Sequence, residues 1–132
     1  MTKQIVYTDK APAPIGPYSQ AILVKPAAGG GTLYVSGQVA IELAPLGDIR
    51  AETRQVMENI GAILQAAGLS YGNIVKTSIF VKDMNNFAAI NEVYGEFFAG
   101  DTDSPYHPAR ETVEVARLPK DVNVEISVIA VD

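Results

Sequence analysis

At 132 residues, with 48% hydrophobic and 19% charged residues and no low-complexity tract, the chain has the size and composition of one packed domain rather than of a disordered segment. Its formal net charge of -5 provides no positive field to collect phosphates, which argues against a general nucleic-acid or anionic-membrane binder. The absence of cysteine excludes disulfides, thiolate metal sites and cysteine nucleophiles together. The start "MTKQIVYTDKAPAP" lacks a signal-peptide layout and no apolar run nears the ~20 residues that span a bilayer, so a soluble, cytoplasmic protein is expected.

In chain order, "QIVYT" (4–8) is a short strand candidate, and "APAPIGPYS" follows with three prolines and a glycine that forbid helix and impose an ordered, extended loop. "QAILVK" (20–25) and "TLYVSG" (32–37) read as two strands joined through "PAAGGG". That glycine run has neither GK[ST] nor G-x-G-x-x-G context and gives no phosphate cradle. After "APLGD", where Asp48 can cap, Val56, Ile60, Ile63, Leu64 and Ala67 recur at helical spacing up to Gly68, which predicts an amphipathic helix over 49–67.

"NIVKTSIFVKD" (73–83) is a β-branched strand, and "NNFAAINEVYGEFF" (85–98) is helical through Phe87, Ile90, Tyr94, Phe97 and Phe98, with Asn85 or Asn86 as cap. Two strands, 110–117 and 122–131, complete the chain around the turn "LPKD". The order β-β-β-α-β-α-β-β implies an α+β fold, one mixed sheet with both helices on one face. The opposite face is also apolar, through Ile129, Val131 and parts of "VKTSIFVK" and "VEVA", which predicts an oligomer whose subunits pack sheet faces together.

Alternation places Arg110, Thr112 and Glu114 on one face of their strand, with Glu111 pointing away, and Asn123, Glu125 and Ser127 on one face of the next. If those two strands are antiparallel neighbours across "LPKD", Arg110 and Glu125 meet on the same surface. A structural ion pair explains such a meeting, as does a small-carboxylate site. In the latter, the guanidinium fork grips the ligand and Glu125 handles a water or proton. His107, the single histidine, reads as a surface or gate residue between two prolines; "GDTDSP" (100–105) lacks the ligand spacing of a calcium loop and reads as turn chemistry. Arg117 and Lys120 read as solubility or subunit-contact residues, and Tyr18 is singled out because the proline-rich lead-in restricts its ring.

The stretches "APAPIGPYSQA", "YVSGQVA", "AAGLSYGNIVKTSIFVKDMNNFAAINEVYGEFF" and "PARETVEVARLPKDVNVEISVIAV" together resemble the RidA (YjgF) family of reactive-intermediate deaminases, over nearly the whole chain and in the family's order. The resemblance implies a chorismate-mutase-like α+β fold assembled as a homotrimer around a central barrel, with sites in clefts between subunits. It implies hydrolysis of 2-imino acids to 2-keto acids and ammonia, with no metal or organic cofactor; that neither nucleic acid nor membrane is a partner is expected from the net charge of -5.

By position, Arg110 matches the carboxylate-gripping arginine and Glu125 the glutamate that orients or activates water. Tyr18, Ser36, Gly37 and Asn91 match cleft residues, with Tyr18 closing from a neighbouring subunit. Thr112 stands where many deaminating members carry cysteine, and Glu111 replaces a smaller residue. A non-catalytic carboxylate-binding or stress-related interaction protein is the alternative; a ribonuclease ranks lower because neither a histidine pair nor a basic groove is visible, and chorismate-mutase chemistry lower still because only Arg110 is placed among the cations it needs.

Overall fold

The computed structural model describes residues 1–99 and 107–132. The "GDTDSP" turn expected at 100–105 therefore lies outside the described residues, as does Tyr106. The elements are β1 (Thr2–Val6), β2 (Ala21–Lys25), β3 (Thr32–Gln38), α1 (Ile49–Ala66), β4 (Ile74–Val81), α2 (Phe87–Glu96), β5 (Ala109–Glu114) and β6 (Val124–Val131), with short 3-10 turns at Ala44–Leu46, Tyr71–Asn73, Met84–Asn86 and Pro119–Asp121. The order expected from periodicity holds; β1 begins and ends two residues earlier than predicted, and β5 ends at Glu114 rather than 117.

Helix α1 starts where Asp48 accepts the Ala51 N–H at 3.1 Å, and Gly68, at φ +77°, turns the chain out of it, a conformation that suits glycine. Asn86 stands at the cap position of α2 but makes no side-chain cap; Asp83 instead accepts from the Asn85 N–H at 2.9 Å and organises the 3-10 turn that leads in. The buried stripe of α1, Val56, Met57, Ile60, Ile63 and Leu64, packs with α2 residues Ile90 and Tyr94 on Leu33, Val35, Ile79, Val81, Val124, Ile126 and Val128 of the sheet. Truncating one such fully buried side chain, as in Ile60→Ala, costs about 2–5 kcal/mol.

One six-stranded mixed sheet runs in the order β1-β2-β3-β6-β4-β5, with both helices on the same face. This order corrects one expectation. Strands β5 and β6 are consecutive but not neighbours: β4 lies between them, parallel to β5 and antiparallel to β6. The turn between β5 and β6 makes this jump with Lys120 and Asp121 both in the left-handed region, at φ 58° and 54°, and with Lys82 bonded to Asp121 at 2.9 Å. Left-handed non-glycine backbone costs on the order of 1 kcal/mol per residue, and "LPKD" is a strained crossover rather than a simple hairpin turn.

The face away from the helices carries Tyr34, half exposed, with partly exposed Ile22, Val24, Phe80 and Ile129 beside it. None of the helices among the described residues is long and apolar enough to cross a membrane.

Candidate active site

The residues singled out from the sequence fall into two clusters. The first gathers on the helix face of β5. Parallel pairing sets Arg110 opposite Thr77 and Thr112 opposite Ile79, and Thr77 and Ile79 are fully buried beneath the helices. The guanidinium of Arg110 leans on α2: Nη2 donates to Asn91 Oδ1 at 2.7 Å, and the group lies 5.0 Å from the Tyr94 ring centre and 5.7 Å from that of Phe87.

Positions 87, 91 and 94 are spaced i, i+4, i+7, so one stripe of α2 presents two π faces and an amide oxygen to one cation. The Tyr94 hydroxyl is bonded to Thr77 Oγ1 at 3.0 Å, which fixes the ring beneath the cation. Among the described residues no carboxylate forms an ion pair with Arg110, and a planar guanidinium fork is the group that matches a carboxylate bidentately. Thr112 adds a buried Oγ1 that has no hydrogen-bond partner among the described residues.

The second cluster lies on the other face. Glu125 pairs with Phe80, one step out of phase with Ile79, and so points away from the helices. It lines a cavity of about 370 Å³ together with Ile15, Tyr18, Ser36, Gly37, Val39 and Pro119. Half-burial pushes the Glu125 carboxyl up from its ordinary value, through desolvation of the charged form.

Strand β3 explains the close fit. Val35 pairs with Val128 and Gln38 with Ile126, so Ser36 and Gly37 both stand opposite Ser127 in a bulge. A Cβ on Gly37 would come 2.6 Å from Glu125 Oε2, and glycine is what lets the carboxylate lie against the backbone. Ser36 is anchored, its Oγ donating to the Ser19 carbonyl at 2.6 Å.

Tyr18 reaches this cavity from the proline-rich loop, 45% exposed, with its hydroxyl accepting the Ile15 N–H at 3.2 Å. Gln20 holds that loop: its Oε1 accepts the Thr8 N–H at 2.8 Å, and its Nε2 shares its hydrogens among the carbonyls of Thr8, Ala11 and Pro12. A segment so rich in proline has few N–H groups of its own, and one buried carboxamide supplies the missing donors. Glu52, fully buried on α1, accepts from the backbone N–H groups of Asn123 and Val124 and from Asn123 Nδ2, which pins the start of β6 just before Glu125.

Arg110 and Glu125 thus lie on opposite faces of one sheet, with β4 between their strands. This overturns the expectation that they share a surface within the chain, and with it the structural ion pair. The alternation itself is as expected: Glu111 points to the open side and bonds Lys76 at 2.8 Å, which holds its carboxyl below the usual range. His107 is exposed, its ring centre 6.1 Å from that of Phe98. Phe87, Tyr94, Gln20 and Glu52 were not singled out as site residues in the sequence. Asn91 flanked at i−4 and i+3 by aromatics was the one signal available for the first two.

The family model described as Endoribonuclease L-PSP matches residues 8–132. The chain is 47% identical to a 2-iminobutanoate/2-iminopropanoate deaminase of Salmonella typhimurium, over 99% of this chain and 98% of that protein. The chain belongs to the RidA (YjgF) family. The RidA fold is present throughout: the crystal structure of the YjgF gene product from E. coli matches with a TM-score of 0.81 at 44% identity, over 97% of this chain and 98% of the other. A second RidA relative, E. coli TdcF solved with bound serine, matches with a TM-score of 0.81 at 42% identity, over 98% of each chain.

Proposed function

We propose that the protein hydrolyses reactive 2-imino acids, such as 2-iminopropanoate and 2-iminobutanoate, to 2-keto acids and ammonia. The observation that carries this reading is the pair of complementary half-sites: a guanidinium cradled by Asn91, Phe87 and Tyr94 with no carboxylate partner among the described residues, and a desolvated carboxylate set against the bare backbone of Gly37. The deaminase name of the Salmonella relative and the serine bound in TdcF support the same class of small carboxylate ligand.

Because the sheet separates the two half-sites, a complete site needs two copies of the chain. The partly apolar open face supports association into the homotrimer expected of a chorismate-mutase-like barrel, with one protomer's Arg110 facing its neighbour's Glu125 across a cleft. There Arg110 grips the substrate carboxylate, and Asn91 sets the fork. Glu125 takes a proton from a water that adds to the imine carbon; the proton passes to nitrogen, the C–N bond breaks, and the water oxygen remains as the ketone while ammonia leaves. Imine hydrolysis is fast in water already, so holding the carboxylate and aligning one water supply the acceleration. Thr112 Oγ1 lies in the Arg110 half-site, Ser36 and Gly37 shape the Glu125 half-site, and Tyr18 closes over it. No cofactor enters this scheme.

The test generates 2-aminoacrylate or 2-aminocrotonate with a dehydratase and follows keto-acid release; a rate equal to that in buffer would reject the activity. Complementation tests the arrangement between subunits. Arg110→Ala and Glu125→Gln chains, each strongly impaired alone, should regain about one quarter of wild-type activity when unfolded and refolded together at equal amounts, because random assembly restores that share of sites. No recovery in mixed assemblies would place both residues in one protomer's site and reject the shared cleft.

A further inference from the structure

The Glu125 cavity has a larger neighbour that the reaction scheme leaves unused. About 620 Å³ of space lies beneath the proline-rich loop, and the two cavities share Ile15, Tyr18, Gly37 and Val39 in their walls. Its walls include Pro12, Pro14 and Leu43, whereas its polar lining comes largely from carboxamides: Gln20, Gln38, Gln55 and Asn59. Three of these are almost fully buried, Gln20 and Asn59 at 2% exposure and Gln38 at 5%.

Their hydrogen bonds are only partly spent on one another. Gln20 is fully engaged with the loop. Gln55 Nε2 donates to Asn59 Oδ1 at 2.9 Å, Asn59 Nδ2 donates to the Val39 carbonyl at 3.4 Å, and Gln38 Nε2 donates to the Ser36 carbonyl at 3.2 Å. Among the described residues the Oε1 atoms of Gln38 and Gln55 accept no hydrogen bond, and Gln55 Nε2 retains a second hydrogen. The charged side chains of the lining, Asp9, Lys10 and Glu42, are all exposed at its margin.

We propose that this amide-lined cavity is a side-chain subsite of the Glu125 cleft and selects imino acids whose side chain ends in a neutral carboxamide. The inference rests on the imine-hydrolase reading. With the reacting carbon beside Glu125, the side chain passes Tyr18 and Gly37 into the larger cavity, where a terminal amide donates to Gln38 and Gln55 Oε1 and accepts from Gln55 Nε2. A carboxylate of the same length finds no cation among those amides and keeps its desolvation cost, and an apolar chain leaves the Gln38 and Gln55 acceptors unmatched. The reaction balances as before: one water adds, ammonia leaves, and the side-chain amide is untouched.

The experiment generates imines in situ from alanine, glutamine, glutamate and methionine with an L-amino-acid oxidase, with catalase present, and compares kcat/KM for each. The glutamine-derived imine is expected to exceed those from glutamate and methionine by about tenfold, and Gln55→Leu to lower the glutamine-to-methionine ratio about fivefold or more. Gln55 is partly exposed on α1, and a thermal melt verifies the variant's fold; Gln55→Glu, which keeps the shape, should penalise the glutamate-derived imine further. No hydrolysis of even the alanine-derived imine would reject the reaction class. Hydrolysis of that imine with no preference for glutamine, or a preference that Gln55→Leu leaves unaltered, would overturn the subsite alone.

Discussion

The two faces of the sheet treat their charged residue in opposite ways. On the helix face, Arg110 is held by contact: an amide oxygen 2.7 Å away and two aromatic rings from one stripe of α2. On the open face Glu125 is held by exclusion, half-buried beside a glycine with no room for a Cβ, its anionic form disfavoured by lost solvent. A cation stacked on π faces keeps its charge and its orientation, which suits a clamp. A carboxylate with poor solvation is a stronger base than a free one, which suits moving a proton. The difference supports the proposed roles more sharply than residue type does, because neither side chain could exchange its surroundings with the other and retain its chemistry.

The comparison breaks most completely at Arg110. Arg110→Ala should lower kcat/KM for imine hydrolysis by about 10²–10³, since charge-assisted bonds to a carboxylate contribute about 1.5–3 kcal/mol each. Steady-state kinetics checks this, and a loss under threefold would remove Arg110 from the site. Gly37→Ala strikes the other half-site: the new methyl displaces the Glu125 carboxylate, and a loss of about tenfold or more in kcat is expected from a misplacement near 1 Å. Unchanged kcat would mean that the close approach has no catalytic use.

Glu125→Gln sharpens the comparison through pH. Burial raises the wild-type carboxyl above its ordinary value and the proposed hydrolysis needs the anion, so the acid limb of the kcat/KM profile should lie above that of an ordinary carboxyl in the wild type and vanish in the variant. The sign for stability is opposite. A carboxyl whose pKa is raised in the folded state favours folding below its unfolded pKa, and that contribution is lost as pH rises through the folded value. Melting curves should therefore show the variant gaining on the wild type as pH rises from 4 towards neutrality.

The smallest effect is expected at Phe87, the more distant and more exposed of the two rings. Phe87→Ala should raise KM about twofold to fivefold with little change in kcat, in keeping with an exposed cation–π contact. A fall in kcat alone would show that the ring serves the reacting centre instead.

Much of this was legible in the residue order. The i, i+4, i+7 pattern of Val56, Ile60 and Ile63 specifies α1 because only one helical face can reach a core, and Asp48 and Gly68 mark its ends through groups that helix termini leave unpaired. Strand alternation put Arg110 with Thr112 and turned Glu111 away, and it put Glu125 with Ser127, because a period of two is a property of the backbone alone. The four matching stretches carried the family.

What the tertiary structure alone decided is which strand lies beside which. Alternation gives each strand two faces but does not say how the faces of separate strands align, and "LPKD" reads locally as a hairpin turn. The insertion of β4 between β5 and β6 depends on long-range pairing of Thr77 with both Arg110 and Val128, and no local signal reports it. The same holds for the bulge that brings Gly37 to Glu125, for the buried Glu52 that anchors β6, and for the amide-lined cavity under the proline loop, each built from residues distant in sequence. Local periodicity determined the elements and the faces. Packing determined that the arginine and the glutamate stand back to back on one sheet, because which strand lies beside which is set by long-range pairing.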